Sequence, residues 1–275
     1  MYGILFTRAC LPALLLASVP AAAQAPAYAR TPGDTLHYHH AAQATVQIQG
    51  RPGRAEQAQR ARISLAFTGG DTARAWYGGL DVRSKHGAAY ESLEIPGSEM
   101  RGGFVLAVAP AGRVRTLRTP ALPPPLDVEY DSVLAWQFID FLPVLPEAPL
   151  RPGLEWTDAD SMDLPRGRWR RSTRYRVVHD TVVDEVAAVV VATESRLAMS
   201  HTSEIDEELS VRTELEGMER GRFVFAPAPG LLLRRERSGT LSGTETSLLE
   251  GERPRPARQT REYTSVIELL PERAQ

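Results

Sequence analysis

The sequence has almost none of the residues that would cross-link it or draw it to nucleic acid. Cys10 is its only cysteine and Lys85 its only lysine, and the net formal charge of the 275 residues is −2. A chain without a cysteine pair forms no internal disulfide, so its stability has to come from a buried core. A net charge this small creates no overall field for nucleic acid or an anionic membrane. We therefore expect no nucleic-acid partner.

Short catalytic signatures are also missing. The sequence has no HExxH motif, no phosphate-binding glycine loop and no calcium loop, and the serine of GTLSG (239–243) is misplaced for a nucleophile elbow. We therefore predict no catalytic residues and no cofactor. An active site assembled from distant carboxylates stays open, because a single sequence does not show which acids meet in the fold.

The histidines concentrate in one segment. His37, His39 and His40 make up half of the six histidines of the chain. On a strand, His37 and His39 point to the same side, which suits two ligands of one metal ion. No spacing elsewhere identifies the further ligands that a zinc site needs. We predict no metal site and interpret these side chains as exposed strand histidines.

The N-terminus has the features of a secretory signal peptide. Arg8 supplies a positive charge, an apolar run extends from Cys10 to Val19, and small residues follow it up to a predicted cleavage after Ala23. The apolar run is shorter than the ~20 residues that span a bilayer. We expect an exported protein, periplasmic or extracellular, that is not an integral membrane protein after cleavage and whose mature part has no cysteine.

Most of the mature chain alternates between apolar and polar residues with a period of two, which is typical of half-buried strands. Segments such as ARISLAF and YTSVIELL show this pattern, and glycine, proline and aspartate separate the segments at short intervals. Long helical patterns are scarce. We predict a mainly β fold, a large curved antiparallel meander of the half-barrel or open-barrel kind.

One stretch occurs in two similar copies. GGFVLAVAPAG begins at Gly102 and GRFVFAPAPG at Gly221, and a Pro-Gly pair precedes each copy at a similar distance, at Pro32 and at Pro152. This pattern indicates an internal duplication; chance similarity between two hairpins is the alternative. The predicted organisation is a signal peptide at 1–23, a first β half at 30–120, a linker at 121–149 and a second β half at 150–270, with the halves forming one compact unit.

The linker between the halves is strongly apolar. From about 127 to 142, apolar side chains cover most of a helix circumference, and Pro143 ends the pattern. A helix this apolar has to be buried, either on the concave side of the sheet or at the seam between the halves. It is either a core plug or a lid over a lipid-sized pocket. In the second case the predicted ligand-binding residues are Trp136, Phe138 and Phe141.

A second unusual segment has arginine at alternate positions, namely Arg166, Arg168, Arg170, Arg174 and Arg176. On one strand these guanidiniums line a single face, which suits phosphate or sulfate groups of a lipid or polysaccharide. The alternative is a solvated face whose charge is compensated by the acidic residues around Glu204 to Glu216.

The predicted mature chain has no cysteine and consists of strands with an apolar helix between two halves. In this layout it resembles the periplasmic lipoprotein-carrier type, in which a curved antiparallel sheet wraps helices and shelters acyl chains. It is also similar to uncharacterised secreted bacterial β-rich proteins. The resemblance rests on layout and carries over no functional residue, and the duplication departs from a single-copy carrier. It implies a non-catalytic protein that binds an apolar or amphipathic, lipid-like ligand between sheet and helix. The alternative is a structural or protein-interaction module of the cell envelope without a small-molecule ligand.

Overall fold

The structure is a computed structural model that describes residues 25–28, 31–51, 53–86, 89–97, 103–120, 137–164, 166–204, 209–249 and 251–271. The predicted signal peptide and most of the predicted helix lie outside the described residues. Twelve strands form within them: β1 (Thr35–Ile48), β2 (Ala55–Gly69), β3 (Thr72–His86), β4 (Ala89–Pro96), β5 (Phe104–Val108), β6 (Val114–Arg118), β7 (Glu155–Leu164), β8 (Gly167–Val183), β9 (Val186–Glu204), β10 (Leu209–Ala226), β11 (Leu231–Leu249) and β12 (Arg255–Leu269).

All twelve strands belong to one antiparallel sheet. The order is β6-β5-β3-β2-β1-β12-β11-β10-β9-β8-β7, with β4 also paired to β3. Most consecutive strands are neighbours, as in a meander. The exception is the centre, where β1 pairs with β12 in a register from Tyr38–Leu269 to Ile48–Gln259. β6 and β7 are the two edges, so the sheet is open. The prediction of a mainly β, antiparallel open meander is confirmed.

The sheet curves around a short part of the linker. The Phe138 ring lies 5.1 Å from the Tyr77 ring of β3, and the Phe141 ring lies 4.9 Å from the Tyr38 ring of β1. Between them, Asp140 contacts arginines of β8 and β11. This one segment therefore contacts strands that lie far apart in the sheet. The concave face, which surrounds the segment, is the interior of the protein.

Side chains at every second position of the strands point into this interior and fill it. On β8, every second residue from Trp169 to Val177 is buried, including Arg171 and Thr173, whereas the residues at the positions between them are exposed, as the period of a strand requires. The largest fully buried side chains are those of Tyr38, Tyr77, Phe104, Phe138, Phe223, Phe225, Ile63, Leu106 and Leu232.

The linker segment also covers the gap between the sheet edges. The Leu145 amide donates to the Ala111 carbonyl oxygen, 2.8 Å away in the turn between β5 and β6. On the other side, the Trp156 indole of β7 donates to the Val144 carbonyl oxygen at 2.9 Å. The segment therefore ties the two edges together without pairing them as strands, which also protects them from pairing with other chains.

The helical part of this segment ends early in the described residues. Residues 137–139 are helical and the chain then turns, so the predicted helix end at residue 142 is wrong. The physical reason is that Arg235 donates to the main-chain carbonyl oxygens of both Asp140 and Phe141, which a continuing helix would use itself. In the described part of the chain, no helix has both the length and the apolarity to cross a bilayer.

Strands β1–β6 belong to the first predicted half and β7–β12 to the second. Each Pro-Gly landmark lies in the turn before the first strand of its half, where Gly33 and Gly153 have φ values of +97° and +83°. The repeated stretch forms β5 with its following turn in one half and the end of β10 in the other. β5 runs along β3 as β10 runs along β9. The duplication itself stays a prediction.

Candidate functional site

A cavity of about 220 Å³ lies between the concave face of the sheet and the linker segment. Protein interiors hold few voids larger than a water molecule, and an apolar cavity of ~150 Å³ is enough to hold benzene. The space is therefore large enough for a small organic ligand. Its walls come from β1–β3, from β8–β12, and from Gln137, Asp140 and Phe141.

The cavity is amphipathic. The wall formed by β2 and β3 has apolar side chains, Ile63, Leu80 and Val82, next to two glutamines. The wall formed by β10, β11 and β12 contributes Glu219, Arg237, Arg261 and Tyr263, and the linker segment adds Asp140. This second wall also has two apolar side chains, Leu241 and Ile267, so that charged and apolar groups lie next to each other there.

Asp140 is the centre of a buried ion cluster. Its carboxylate accepts hydrogen bonds from Arg171 of β8 and Arg237 of β11, and the Arg235 Nη2 atom lies 3.2 Å from its Oδ1 atom. Burial alone would raise the pKa of Asp140, but the three guanidiniums outweigh burial and hold that pKa well below its usual range. Asp140 is therefore ionised and fixes the linker segment to two distant strands.

Glu219 is the second carboxylate of this cluster. The Arg171 Nη2 atom lies 3.3 Å from its Oε1 atom, and the Tyr263 hydroxyl donates to its Oε2 atom at 2.8 Å. The Tyr263 ring lies over Gly239, where a Cβ atom would come within 2.8 Å of the ring. Burial, together with the Glu219 carboxylate, raises the pKa of Tyr263, so the hydroxyl keeps its proton. We call Asp140, Glu219, Arg171, Arg235, Arg237 and Tyr263 the Asp140 cluster.

Positive charge exceeds negative charge around the cavity. Across the cluster and the cavity walls, the described residues place four arginines, Arg171, Arg235, Arg237 and Arg261, against two carboxylates. Burial lowers the pKa of Arg261, yet a guanidinium stays charged in proteins. The described residues place no carboxylate within 4 Å of Arg261, so its charge has no direct partner.

His40 lies on β1 next to this positively charged region of the cavity wall. Its side chain is buried, and its Nε2 atom is 3.1 Å from the Ser265 hydroxyl. Burial, together with the charge of the nearby Arg237, lowers the pKa of His40 from 6.5 to about 4. His40 is therefore neutral at physiological pH.

The lowered pKa of His40 predicts acid sensitivity. Because the pKa is lower in the folded chain than in the unfolded one, His40 stabilises the fold above pH 6.5, and this contribution is lost as the pH falls toward 4. The effect is about 3 kcal/mol at 1.36 kcal/mol per pKa unit. We expect His40→Gln to flatten the fall in unfolding free energy over this range in urea titrations. His39→Gln, on the exposed face of the same strand, is the control. Equal slopes in wild type and His40→Gln would contradict the assignment.

The three aromatic residues predicted for ligand binding are in different places. Trp136 lies outside the described residues. Phe141 lines the cavity. Phe138 is fully buried in the core, with its ring 4.8 Å from the Phe104 ring. The structure thus brings one of the three to the cavity, whereas Phe138 anchors the segment that carries it.

Of the five arginines predicted for anion binding, Arg168, Arg170, Arg174 and Arg176 share one exposed face of β8, opposite the cavity, and Arg166 is exposed in the turn just before this strand. Three of them form surface ion pairs, Arg166 with Glu204, Arg168 with Asp163 and Arg174 with Glu155. Such exposed pairs contribute little to stability. Anion binding by this face remains a prediction.

The histidine-rich segment is divided between the two faces of β1. His37 lies 2.9 Å from the Ser64 hydroxyl and His39 is exposed, whereas His40 faces the interior. In the part of the chain that the structure describes, no group of three or more His, Cys, Asp or Glu side chains is arranged to hold a metal ion.

Sequence reasoning missed the Asp140 cluster, although two signals pointed to it. Arg171 occupies an inward position of β8 between Trp169 and Thr173, where an alternating strand should be apolar. Asp140 is the one charged residue of the apolar stretch FIDFL. A charged residue at a core position is costly unless it is paired, so both residues called for a partner.

No protein-family model and no curated protein sequence matches the chain. Among solved structures it is similar to lipovitellin, in a structure of its lipid–protein interactions, at 12% identity and a TM-score of 0.49 over 90% of this chain and 26% of that one. It is also similar to an outer membrane channel from Pseudomonas putida F1, at 10% identity and a TM-score of 0.25 over 91% and 99% of the two chains.

A third similar structure is OpdK of Pseudomonas aeruginosa with vanillate, at 8% identity and a TM-score of 0.22, covering 87% of this chain and 100% of that chain. The chain spans about a quarter of the lipovitellin chain. Likeness this distant carries no functional conclusion, so function has to be inferred from the geometry of the chain itself.

Proposed function

We propose that this is an exported, non-catalytic binding protein that holds a small amphipathic molecule in the cavity between the sheet and the linker segment. One observation carries the proposal: a space of about 220 Å³ whose lining combines mostly apolar side chains with a few charged ones. Concave, mostly apolar sites with a few convergent polar groups are typical of small-molecule binding.

The Asp140 cluster supports the proposal because it makes the cavity a preformed one. Phe141 lines the cavity, and its neighbour Asp140 is held by arginines of β8 and β11. A site that is already ordered loses little conformational entropy when its ligand binds. Apolar parts of the ligand gain roughly 25 cal/mol per Å² of surface that they bury.

One contact in the cavity wall suits a hydrolase instead. The His40 imidazole lies 3.1 Å from the Ser265 hydroxyl, the distance of a base from a serine nucleophile. However, the buried Nδ1 atom of His40 has no hydrogen-bond partner among the described residues, and a pKa of about 4 makes the imidazole a weak base. Labelling of Ser265 by a fluorophosphonate that is lost in His40→Gln would favour this second candidate.

Filling the cavity is expected to abolish binding. Ala44 lines the cavity from β1, so the ring of Ala44→Phe takes the space of the ligand. We expect at least a tenfold loss of affinity for the neutral fluorescent probe N-phenyl-1-naphthylamine, measured by fluorescence titration, with circular dichroism unchanged. Native mass spectrometry of wild-type protein from the envelope fraction, without detergent, should show a bound small molecule that Ala44→Phe lacks.

The control is Gln47→Phe, which adds the same ring to an exposed position of the same strand. It should bind the probe like wild type. If wild type binds no probe, or if both variants bind it equally well, the cavity is not a binding site.

The alternative, an interaction module, has one observation in its favour. Val178, Val182 and Val186, around the hairpin between β8 and β9, are 41%, 67% and 37% exposed. A clean ligand-free mass after incubation with total membrane lipid would favour this reading. Cross-linking to an envelope partner that Val182→Asp abolishes would then identify the hairpin as its contact.

A further inference from the structure

The side chain of Arg261 differs in its surroundings from the other arginines at the interior. It lies at an inward position of β12, opposite Val46 of β1 on one side and Leu241 of β11 on the other. Both flanking residues are apolar, and Leu241 lines the same cavity as Arg261. The sheet therefore places a guanidinium at the cavity wall between two apolar side chains.

The other three interior arginines each have a carboxylate of the chain itself as a direct partner. Arg171 and Arg237 each contact both carboxylates of the Asp140 cluster, and Arg235 contacts Asp140. In contrast, the described residues offer Arg261 neither a carboxylate within 4 Å nor a side-chain acceptor within hydrogen-bonding distance. Its nearest titratable neighbour is the hydroxyl of Tyr263, which is engaged by Glu219.

Arg261 is partly buried at the cavity wall. An unpaired charge there keeps part of its desolvation cost, which deprotonation cannot relieve because a guanidinium stays charged. A group that is destabilising in the empty protein persists when it serves binding. The charge that completes the site then has to come from the ligand. Arginine forms two parallel hydrogen bonds with a planar carboxylate, which makes such a group its best match.

We infer that Arg261 is the anion-binding residue of the cavity and that the ligand is an amphipathic carboxylate, with its acid group at Arg261 and its apolar part along Leu80, Val82 and Leu241. This inference rests on the proposed function, because it assumes that the cavity takes a small molecule. It adds the chemical class of that molecule and its orientation.

The test compares three probes with the full mature protein, namely octanoate, 1-octanol and acetate, by isothermal titration calorimetry. Octanoate should bind at least tenfold more tightly than 1-octanol, which has the same chain without the charge. Acetate, which has the charge without the chain, should bind at least a hundredfold more weakly than octanoate. Tight acetate binding would instead show a site for a free small anion and would overturn the amphipathic assignment.

The decisive variant is Arg261→Gln. A hydrogen-bonded ion pair is worth roughly ten- to a hundredfold in affinity, so the octanoate affinity should fall by that factor while the 1-octanol affinity stays within threefold. Arg261→Lys should keep part of the preference for octanoate. The matched control is Arg258→Gln, on the exposed face of the same strand, which should bind all probes like wild type.

A thermal melt without ligand separates binding from structure. If the Arg261 charge is unpaired, Arg261→Gln raises the melting midpoint of the empty protein or leaves it unchanged. An Arg261→Gln protein that melts earlier or fails to fold would show that the guanidinium is a structural group, and the inference would be wrong. Equal binding of octanol and octanoate would overturn the ligand class alone, whereas failure of octanoate, 1-octanol and the neutral probe to bind would overturn the proposed function itself.

Discussion

Asp140→Asn is expected to lower the free energy of unfolding by about 3–5 kcal/mol, the cost of removing one partner from a buried ion pair. The side chain of Asp140 is 16% exposed and faces three guanidiniums, those of Arg171, Arg235 and Arg237. Asparagine has the same shape but no charge. The substitution therefore removes half of the negative charge that two carboxylates provide and leaves three arginines facing Glu219 alone.

The loss should be measured by urea denaturation with linear extrapolation, and by a fall of the melting midpoint on the order of 10 °C for a chain of this size. The control is Asp163→Asn, which removes a carboxylate that also binds an arginine but is 80% exposed. Exposed pairs contribute at most about 1 kcal/mol. A similar small loss in both variants would show that the Asp140 cluster does not hold the fold together.

The strands could be predicted from the sequence because a single local rule governs them. On β8, buried side chains from Trp169 to Val177 alternate with exposed ones without interruption, as the sequence indicates. The same rule placed four of the five exposed arginines on one face. It could not show which of the charged side chains on that face form ion pairs, because ion pairing depends on which strands become neighbours.

The β11 arginines of the Asp140 cluster could not be predicted because a β-bulge changes the alternation on β11. In the pairing of β11 with β10, the register shifts next to Val224 and Phe225 of β10. As a result, Leu232 and Arg235 of β11 both face the interior although they are three residues apart. Strict alternation from Leu232 would place Arg234 and Glu236 inside instead. A bulge inserts one residue and reverses the face of all residues that follow, and no local pattern in the sequence marks it.

The cavity could not be predicted for a different reason, namely that its walls are joined by the pairing of the first strand with the last. Ala44 and Tyr263 are opposite each other in this pairing although 219 positions separate them. Period-two patterns give the face of each side chain but not the partner of each strand. The apolar character of the linker predicted its burial, on the concave side or at the seam between the halves, but did not distinguish between the two.

The buried segment links stability to binding. Asp140 holds the linker segment against β8 and β11, and its neighbour Phe141 lines the cavity. Substitutions in the Asp140 cluster should therefore weaken both the fold and ligand binding. Substitutions of Arg261 should weaken ligand binding without lowering stability, so the two groups of variants separate the two roles.

Phe138→Ala should destabilise the protein by about 3–5 kcal/mol, the usual cost of removing a buried phenylalanine ring and leaving a cavity. Phe138 is 1% exposed, and its ring lies 5.1 Å from the Tyr77 ring and 4.8 Å from the Phe104 ring. These contacts anchor the linker segment two residues before Asp140. Urea denaturation measures the loss, and Leu117→Ala, at a position that is 48% exposed on an edge strand, should change stability by less than about 0.5 kcal/mol.

The conservative variant Phe138→Leu distinguishes an anchor from a ligand contact. Leucine keeps most of the apolar volume, so the stability loss should be smaller than that of the alanine variant. Since Phe138 packs into the core while Phe141 faces the cavity, the affinity for N-phenyl-1-naphthylamine should stay within about twofold of wild type, a change of less than 1 kcal/mol. Phe141→Leu, the matched change at the cavity wall, should lower it by several fold. A reversed order of the two affinities would place Phe138 at the ligand and would require the linker segment to turn its other face toward the cavity when the ligand binds.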